Sequence, residues 1–273
     1  MMESDQNLEL LTQLLPNIAS QMRASLSNIY FAATAIAPAS AREKDPALDA
    51  KAAILDQAYY QLLRLVNNLT VTSYLKNDQP LSVRDIDLVA LIQENCDKCH
   101  SLANLLGLKF SFVCAVPSHI CAVYRDSIDQ LLFQLLSNAF KFTPKGGSVT
   151  VELKFAGGKV LLSVSNTGEG ISKELLPSLF NRYTHEGLMN PPPHGLGLGL
   201  PLCRRIAEGH GGTIMAESRE GEGTCITMSI PDRQTGKIST SDVPFDYTGG
   251  FNRTLLALSD ALPAAAFRVK NQD

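Results

Sequence analysis

Asn138 and Lys141 lie three residues apart in one predicted helix and have side chains suited to holding a phosphate and its metal ion. Apolar residues at 131, 132, 135, 136 and 139 repeat at helical spacing, which places Gln134, Asn138 and Lys141 on a neighbouring face. The amide oxygen of Asn138 can ligate Mg²⁺, and the ammonium of Lys141 can meet phosphate charge. An ordinary amphipathic helix with a solvated polar face gives the same pattern, so further motifs must decide.

Two glycine clusters follow along the chain. Asn166-Thr-Gly-Glu-Gly170 comes directly after the alternating run 160–165, which predicts a strand. Glycines at a strand end let the backbone approach a flat base. Gly195, Gly197 and Gly199 open a predicted helix, whose free N–H groups and dipole favour an anionic phosphate. A single cluster of this kind is usually a turn, but the three clusters in this order predict a nucleotide pocket, and we expect ATP in it.

With these motifs, roughly residues 5 to 231 resemble the histidine kinases of two-component signalling, within the wider ATPase group that includes gyrase and the large heat-shock chaperone ATPase. The resemblance implies ATP and Mg²⁺ as cofactors, with Asn138 as the Mg²⁺-binding asparagine and Lys141 as a phosphate-contacting lysine. It also implies an adenine site at Asn166, Gly168 and Gly170, and a glycine box over the phosphates at Gly195, Gly197 and Gly199. By the same resemblance, Thr224 belongs to a closing strand. Leu179-Phe-Asn-Arg-Tyr183 is similar to the family's phenylalanine box.

The stretch that aligns with the family's phosphoacceptor motif departs from it. The family carries Ser-His-Glu-Leu-Arg-Thr-Pro-Leu, whereas this chain reads Ala19-Ser-Gln-Met-Arg-Ala-Ser-Leu26, and no histidine falls in this helix. Ser20 therefore stands at the acceptor position. A neutral imidazole is a nucleophile at cell pH, whereas a hydroxyl needs a neighbouring base. Gln21 replaces the acid beside it, so we expect no histidine autophosphorylation at this site.

Two further positions carry amides where relatives carry carboxylates. Hydrolytic relatives have a glutamate base one turn before the Mg²⁺ asparagine, and here that residue is Gln134, which cannot take a proton. Gln134 is alternatively a tolerated variant of the asparagine that histidine kinases often carry there. Asn166 replaces the family's adenine-binding aspartate, and a neutral hydrogen bond in place of a charged one costs on the order of 1 kcal/mol. A flipped Asn166 amide would instead favour guanine.

Two stripes of apolar residues at alternating three and four spacing predict a helical hairpin near the start of the chain. Their members are Leu8, Leu11, Leu15, Ile18, Met22, Ser25 and Ile29 in the first helix, and Leu55, Ala58, Leu62, Leu65, Leu69 and Thr72 in the second. The stretch from Pro38 to Pro46 supplies the turn. Two helices cannot bury both stripes, so we expect two copies to form a four-helix bundle with Ser20 facing outward. A hairpin that packs only on the rest of its own chain is the alternative.

These elements predict an α+β chain with four segments: a hairpin dimerisation domain over 1–77, a linker over 78–87, a histidine-kinase-like ATP-binding α/β sandwich over 88–231, and a tail over 232–273. In the sandwich we expect helices over 88–106, around Asn138 and after Gly195, and strands over 109–116 and near 148–155, 159–165, 213–217 and 224–230. The lid over 181–194 carries three successive prolines, which stiffen it. The tail is expected to hold a short helix that docks on the ATP domain or on a partner.

Composition agrees with a signalling protein that is neither secreted nor membrane-bound. The net charge of -3 offers no large basic surface for nucleic acid. No apolar run reaches the roughly 18 residues of a membrane span, and we find no signal peptide. Six cysteines then indicate free thiols in the cytoplasm. Cys96-Asp-Lys-Cys99-His100 formally matches haem attachment or half a zinc site, but its mid-helix position favours two core thiols.

Taken together, the motifs predict a cytoplasmic homodimer that binds ATP and Mg²⁺ but lacks its phosphoacceptor. We expect a regulatory pseudokinase that is read by a response regulator or another signalling partner. The alternative is an enzyme that phosphorylates a partner protein, as the family's serine-kinase cousins do; those cousins keep the glutamate that Gln134 replaces. A scaffold without nucleotide is the third possibility.

Overall fold

The computed structural model describes residues 2–74, 82–181, 197–236 and 251–271. The chain divides into two units. Met1–Gln79 with Leu262–Asp273 form one, called the hairpin unit, and Pro80–Ala261 form the other, called the sandwich unit. One unit is helical and the other packs helices on a mixed sheet, so the predicted α+β class is confirmed.

The hairpin unit contains two long helices joined by a short third one. They are α1 (Met2–Ile36), α2 (Ala39–Arg42) and α3 (Pro46–Tyr74). The turn forms where the sequence predicts it, because Asp45 caps α3: its carboxylate accepts the N–H groups of Ala47 and Leu48 at 2.9 and 3.1 Å. Pro46 follows as the first helical residue, a position that needs no N–H donor. This local chemistry fixes the start of α3.

Helices α1 and α3 pack through a face that lies beside the predicted stripes. The buried apolar residues of this unit are Ala19, Leu26, Ala53, Tyr59, Tyr60, Leu63, Val66, Leu262, Ala266 and Phe267. Members of the stripes are exposed in the single chain: Ile18 by 46%, Met22 by 41% and Leu62 by 47%. The stripes therefore do not join the two helices of one chain. Pairing with a second copy stays a prediction.

The sandwich unit has a five-stranded sheet with helices on one face. Its helices are α4 (Leu88–Leu106), α5 (Arg125–Phe142), α6 (Gly199–Gly209) and α7 (Arg253–Leu258). Its strands are β1 (Arg84–Asp87), β2 (Lys109–Cys114), β3 (Ile120–Val123), β4 (Ser148–Ala156), β5 (Lys159–Asn166), β6 (Thr213–Arg219) and β7 (Gly223–Pro231). The main sheet has the order β2-β4-β5-β7-β6; β2 and β4 are parallel and the other pairs antiparallel.

Alternation along the strands builds the core. Val151, Leu162 and Met228 are at most 1% exposed and face α4, α5 and α6, while the opposite face of the sheet carries hydroxyl side chains such as Thr150 and Ser163.

The expected helix over 88–106 is confirmed at both ends: the Asp87 carboxylate caps its first turn, and Gly107 ends it at a φ of 71°.

Strands β1 and β3 form a separate antiparallel pair that the sequence did not predict. Residues 84–87 fall in the expected linker, whose residues 78–81 lie outside the described part of the chain. A buried carboxylate fastens the pair: Asp85 accepts the N–H groups of Thr235 and Gly236, each at 2.8 Å. These bonds and the Thr235 hydroxyl hold the pKa of Asp85 below its usual value, against the opposing effect of burial.

The tail is shared between the two units. Helix α7 packs on α5, with Asn252 capping it and Leu255 and Leu258 buried. Residues 264–267 and 269–271 form two 3₁₀ turns that belong to the hairpin unit. In the ranges that the structure describes, no helix is long and apolar enough to cross a membrane.

Candidate nucleotide-binding site

Helix α5 carries the side chains predicted to meet Mg²⁺ and phosphate. Leu132 and Leu136 on its apolar face are fully buried, while Asn138 and Lys141 are half-buried. The two polar residues lie one turn apart at the end of the helix. The Lys141 ammonium is 5.2 Å from the centre of the Phe142 ring. Both side chains thus belong to the rim of the core, where their polar ends can reach a ligand.

Gln134, at the position where hydrolytic relatives were predicted to carry a base, lies one turn before Asn138 and is only 7% exposed. A Cβ atom at Gly199 would come within 2.8 Å of its Oε1. Its carboxamide therefore rests against the first residue of α6. The sequence did not predict this contact, because the two residues are far apart along the chain and glycine spacing gives no information about what packs on it.

The loop after β5 is held against backbone on two sides, which explains two of its glycines. A Cβ atom at Gly168 would lie 2.1 Å from the carbonyl oxygen of Phe142, the last residue of α5, and 2.6 Å from Nδ2 of Asn166. Gly170 has a φ of 73°, and a Cβ there would lie 2.0 Å from the carbonyl oxygen of Arg219. Any side chain at these two positions would displace main chain, so the adenine loop predicted from the sequence requires both glycines.

Hydroxyl groups support the same loop from β6 and β7. Ser218 accepts the N–H of Ile171 at 2.8 Å and donates to the carbonyl of Gly223 at 2.7 Å. Thr224, predicted as part of the nucleotide-binding set, lies 2.8 Å from the Ser218 hydroxyl and pairs with Asn166 across β5 and β7. Thr224 therefore adjoins the loop and contacts its main support. Ser218 was missed in the sequence because a serine in an alternating strand carries no distinguishing signal.

The glycine box is partly described. Gly197 has a φ of 64°, a backbone conformation that favours glycine, and α6 begins at Gly199. Leu198 precedes the helix and provides no side-chain cap, so the first N–H groups keep their donor capacity for an anion. Gly195, together with Arg182 and Tyr183 of the phenylalanine box and the predicted lid as far as His194, lies outside the described residues.

These contacts bring the predicted residues around one helix. The loop at Gly168 touches the end of α5, and Gly199 touches its middle at Gln134. In the same helix, Asn138 lies between these two contact points, and Lys141 lies next to the one at the helix end. The arrangement fits a nucleotide with Mg²⁺: bare backbone beside a flat base, an amide oxygen and an ammonium for metal and phosphate, and a helix start for negative charge.

Two buried titratable groups fix α5 to its neighbours. Asp129 accepts a 2.7 Å hydrogen bond from Asn95 of α4, and burial raises the pKa of this carboxyl group. His210, at the end of α6, accepts the N–H of Tyr124 at 3.1 Å and donates from Nδ1 to the carbonyl of Ile206 at 2.8 Å. Burial lowers the pKa of His210, so its ring is neutral and spans the start of α5 and the end of α6.

The position predicted from the sequence as a degenerate phosphoacceptor lies on α1. Ser20 and Gln21 are both exposed, while the adjacent Ala19 is buried against α3. Arg23, which matches the family's arginine, donates to Asn67 of α3 at 3.3 Å. The Ser20 side chain is thus accessible to solvent in the single chain, and its outward orientation in a bundle of two copies stays a prediction.

Cys96 and Cys99 are both fully buried in α4. Burial raises the pKa of both thiols, that of Cys99 to about 12. His100 beside them packs edge-on to Phe110. Across the described ranges, no group of three or more histidine, cysteine or acidic side chains is arranged to hold a metal ion. The pair thus occupies the core, which is the position that a mid-helix motif favours.

Comparisons with known proteins agree with this geometry. Residues 124–234 match the family described as histidine kinase-, DNA gyrase B-, and HSP90-like ATPase. The sensor protein KdpD of Clostridium acetobutylicum is 29% identical over 229 residues, which are 81% of this chain and 24% of that protein. The sensor protein SrrB of Staphylococcus aureus is 28% identical over 84% of this chain and 40% of its own length. The histidine protein kinase DivJ of Caulobacter vibrioides is 38% identical over 44% of this chain and 20% of its own.

The fold is also found in solved structures. Full-length ShkA in complex with AMPPNP superposes with a TM-score of 0.65 at 22% identity, over 82% of this chain and 46% of that one. Histidine kinase ThkA in complex with the response regulator protein TrrA gives a TM-score of 0.56 at 23% identity, over 84% and 64%. The chain spans less than half of the three curated relatives named above. Residues 124–234 thus match an ATPase domain of the histidine kinase type, and the chain is similar to sensor proteins over more than four fifths of its length.

Proposed function

We propose that the protein binds ATP with Mg²⁺ in its sandwich unit and acts as a regulatory pseudokinase through partner binding. One observation carries the proposal: an exposed Ser20, followed by Gln21, stands at the predicted acceptor position of a chain that keeps the residues predicted to bind the nucleotide. The cofactor residues would be retained for a nucleotide-dependent state of the molecule. The transfer of phosphate to its own helix would be lost.

Nucleotide binding is supported by the loop and the two helix faces described above. Gly168 and Gly170 leave backbone open beside the base, Asn166 would accept from the adenine amino group, and Asn138 would ligate Mg²⁺. The amide at 166 weakens this binding by about 1 kcal/mol, or several-fold, relative to a carboxylate. ShkA, the structural neighbour, was solved with AMPPNP, an ATP analogue. Calorimetric titration with ATP and with GTP tests the proposal; GTP affinity equal to or above ATP affinity contradicts an adenine site, and no heat at millimolar nucleotide contradicts binding altogether.

Loss of autophosphorylation is supported by the chemistry of the exposed helix face. The Ser20 hydroxyl would need a base to become a nucleophile, and the adjacent Gln21 carboxamide cannot take a proton. Incubation with labelled ATP should therefore give no acid-labile phosphate on the chain. A matched variant makes the absence informative: Ser20→His with Gln21→Glu restores the histidine and glutamate of the family motif. Label on this variant and none on the parent chain would locate the deficiency at the acceptor, whereas acid-labile label on the parent would refute the proposal.

The proposed active state is a homodimer. Ile18, Met22 and Ile29 form an exposed apolar stripe on α1, and Leu55 and Leu62 form one on α3. A second copy would cover both stripes in a four-helix bundle. Leu62→Glu should convert the dimer to a monomer in light scattering, because it places a charge in the stripe.

A control for this test lies on the same hairpin. Phe31 is 68% exposed and, at about 100° per residue, projects from the side of α1 opposite the stripe. Phe31→Glu should leave the dimer intact. A monomeric parent chain, or equal effects of the two substitutions, would contradict pairing through the stripes.

The partner that we infer is a response regulator or another signalling protein in the cytoplasm. ThkA, a structural neighbour, was solved in complex with a response regulator. All six cysteines are free thiols, which suits a reducing compartment. Candidate regulators should bind to the chain in pull-down, and their binding should change with ATP. Regulator binding that is identical with and without nucleotide contradicts a nucleotide-controlled state.

An active protein kinase with an external substrate is the second candidate. Retention of Asn138 and Lys141 favours it, because these side chains would bind the Mg²⁺ and phosphate of ATP rather than the acceptor. Gln134 argues against it, because it offers no base. Transfer of label from ATP to a partner protein, in a mixture where the chain itself stays unlabelled, would establish this activity in place of the regulatory one.

A further inference from the structure

The last residues of the described chain pack on helices α2 and α3 of the hairpin through defined hydrogen bonds. Arg42 of α2 donates to the carbonyl oxygen of Phe267 at 2.9 Å. Gln57 of α3 donates to the carbonyl oxygen of Leu262 at 2.8 Å, and Asp49 accepts the N–H of Val269 at 3.3 Å. The hairpin thus recognises this segment mainly by its backbone.

Ion pairs between α2 and α3 organise the receiving site. The guanidinium of Arg42 is 7% exposed and forms ion pairs with Asp49 at 3.0 Å and with Asp56 at 2.7 Å. These two bonds orient the Arg42 fork. Its remaining nitrogen then faces the carbonyl of Phe267. The segment therefore completes a set of hydrogen bonds whose other members lie within the hairpin.

One side chain provides the apolar anchor. Phe267 is fully buried, and its ring centre lies 5.2 Å from that of Tyr60. Tyr60 in turn lies 6.0 Å from Tyr59, which lies 4.6 Å from Tyr30 of α1. A continuous row of aromatic rings thus runs from the tail across α3 to α1. Leu262 and Ala266 are buried beside it.

The segment occupies a face of α3 that neither α1 nor the exposed stripe uses. At about 100° per residue, Gln57 and Tyr60 lie at least about 140° around the helix from Leu55 of the stripe. The buried Leu63, on the side that faces α1, lies between Leu55 and Tyr60 around the helix. Docking of the segment is therefore compatible with the proposed pairing of two copies through the stripe.

We propose that residues 262–271 are a detachable latch, a peptide ligand carried by the chain itself, and that the Arg42, Gln57 and Tyr60 surface of the hairpin is its binding site. The chain leaves the hairpin unit at Gln79 and returns to it at Leu262. A bound latch thus gives the chain of the sandwich unit a second, non-covalent attachment to the hairpin. Release of the latch removes that connection and uncovers a site for a short segment with a buried phenylalanine. The inference does not depend on nucleotide binding or on the state of Ser20.

The test uses a chain truncated after Ala261 and a fluorescent peptide of residues 262–273. A tethered segment has an effective concentration of about 1 mM, so a latch must bind with a Kd below about 1 mM to be occupied in the intact chain. We expect saturable binding to the truncated chain by fluorescence anisotropy. Binding to the intact chain should be at least about tenfold weaker, because its own segment occupies the site.

Two peptide variants establish the mode of binding. Phe267→Ala removes the anchor and should weaken binding by at least about 100-fold. Lys270→Ala alters an exposed residue of the same segment and should change affinity by no more than about twofold. Equal affinity of the two variants, equal binding to intact and truncated chains, or no binding to a truncated chain whose helices persist in circular dichroism would each overturn the proposal.

A second variant covers the case in which truncation unfolds the hairpin. Phe267→Ala in the intact chain should accelerate hydrogen exchange in residues 262–271 while the amides of α3 around Tyr60 stay protected. If α3 loses its protection together with the segment, the segment is a fixed part of the hairpin fold and the latch proposal is overturned.

Discussion

The loop after β5 offers the sharpest test of the nucleotide site, because a single methyl group can be added where the structure leaves no room for it. Gly170 has a φ of 73°, and a Cβ atom would lie 2.0 Å from the carbonyl oxygen of Arg219. An ordinary contact begins at 3.4 Å, so the loop or strand β6 must move by more than 1 Å in Gly170→Ala. We expect this movement to cost both stability and nucleotide affinity.

A second glycine separates steric overlap from backbone strain. Gly158, in the turn between β4 and β5, has a φ of 70°, but a Cβ atom added there would meet open space. Gly158→Ala should therefore cost only the strain of a left-handed alanine, about 1 kcal/mol. Gly170→Ala carries the same strain and adds about 1 to 3 kcal/mol for overpacking against main chain. Its total is therefore about 2 to 4 kcal/mol.

Urea unfolding, monitored through the hydrogen exchange of amides in β5 and β7, measures the stability of the sandwich unit. Calorimetry measures ATP binding. Gly158→Ala should bind ATP like the parent chain. Gly170→Ala should bind at least about tenfold more weakly, which corresponds to about 1.4 kcal/mol. If the two variants unfold at the same urea concentration and bind ATP equally well, the close approach of Arg219 does not shape the site and the reasoning fails.

Three further predictions concern single side chains. Asn166→Asp should raise ATP affinity several-fold in calorimetry, by about 1 kcal/mol, because a carboxylate accepts more strongly; unchanged or weaker binding would show that this side chain does not contact the base. His210 has a lowered pKa when folded, so the unfolded chain takes up its proton first and stability is lost as pH falls below about 6.5. Denaturant titrations at pH 7.5 and 5.5 should show a larger loss in the parent than in His210→Gln, and equal losses would contradict a buried neutral ring. Native protein at pH 8 should react with maleimide at the half-buried Cys225 and not at Cys96 or Cys99, whose raised thiol pKa suppresses the thiolate; rapid labelling of either, mapped by mass spectrometry, would contradict their burial.

Elements with local start and stop signals could be predicted from the sequence. Helix α4 begins after an aspartate cap at Asp87 and ends at Gly107, and both signals are contained in a few neighbouring residues. Strands β4 and β5 were likewise predicted to within one residue, since their alternation is long and uninterrupted.

Elements that depend on distant partners could not be predicted. Strand β1 is four residues long and contains a buried carboxylate at Asp85, which alternation alone would place in a loop. Its partners, Thr235 and Gly236, lie about 150 residues further along the chain. The docking of Phe267 on Tyr60 is hidden for the same reason, because neither residue belongs to a periodic pattern that identifies the other.

Two contacts of the candidate site could not be predicted from the sequence. Glycine spacing predicted the loop after β5, yet the reason for Gly168 is a carbonyl at the end of α5. Likewise, Gln134 was predicted only as an absent base, whereas the structure places its Oε1 against Gly199, at the start of α6. A carboxylate there would face the positive end of the helix dipole, which lowers a carboxyl pKa and weakens it as a base. A neutral amide at 134 can pack against the helix start without drawing charge from the phosphates that the same helix end is suited to bind. The amide therefore suits a molecule that holds a nucleotide better than one that hydrolyses it.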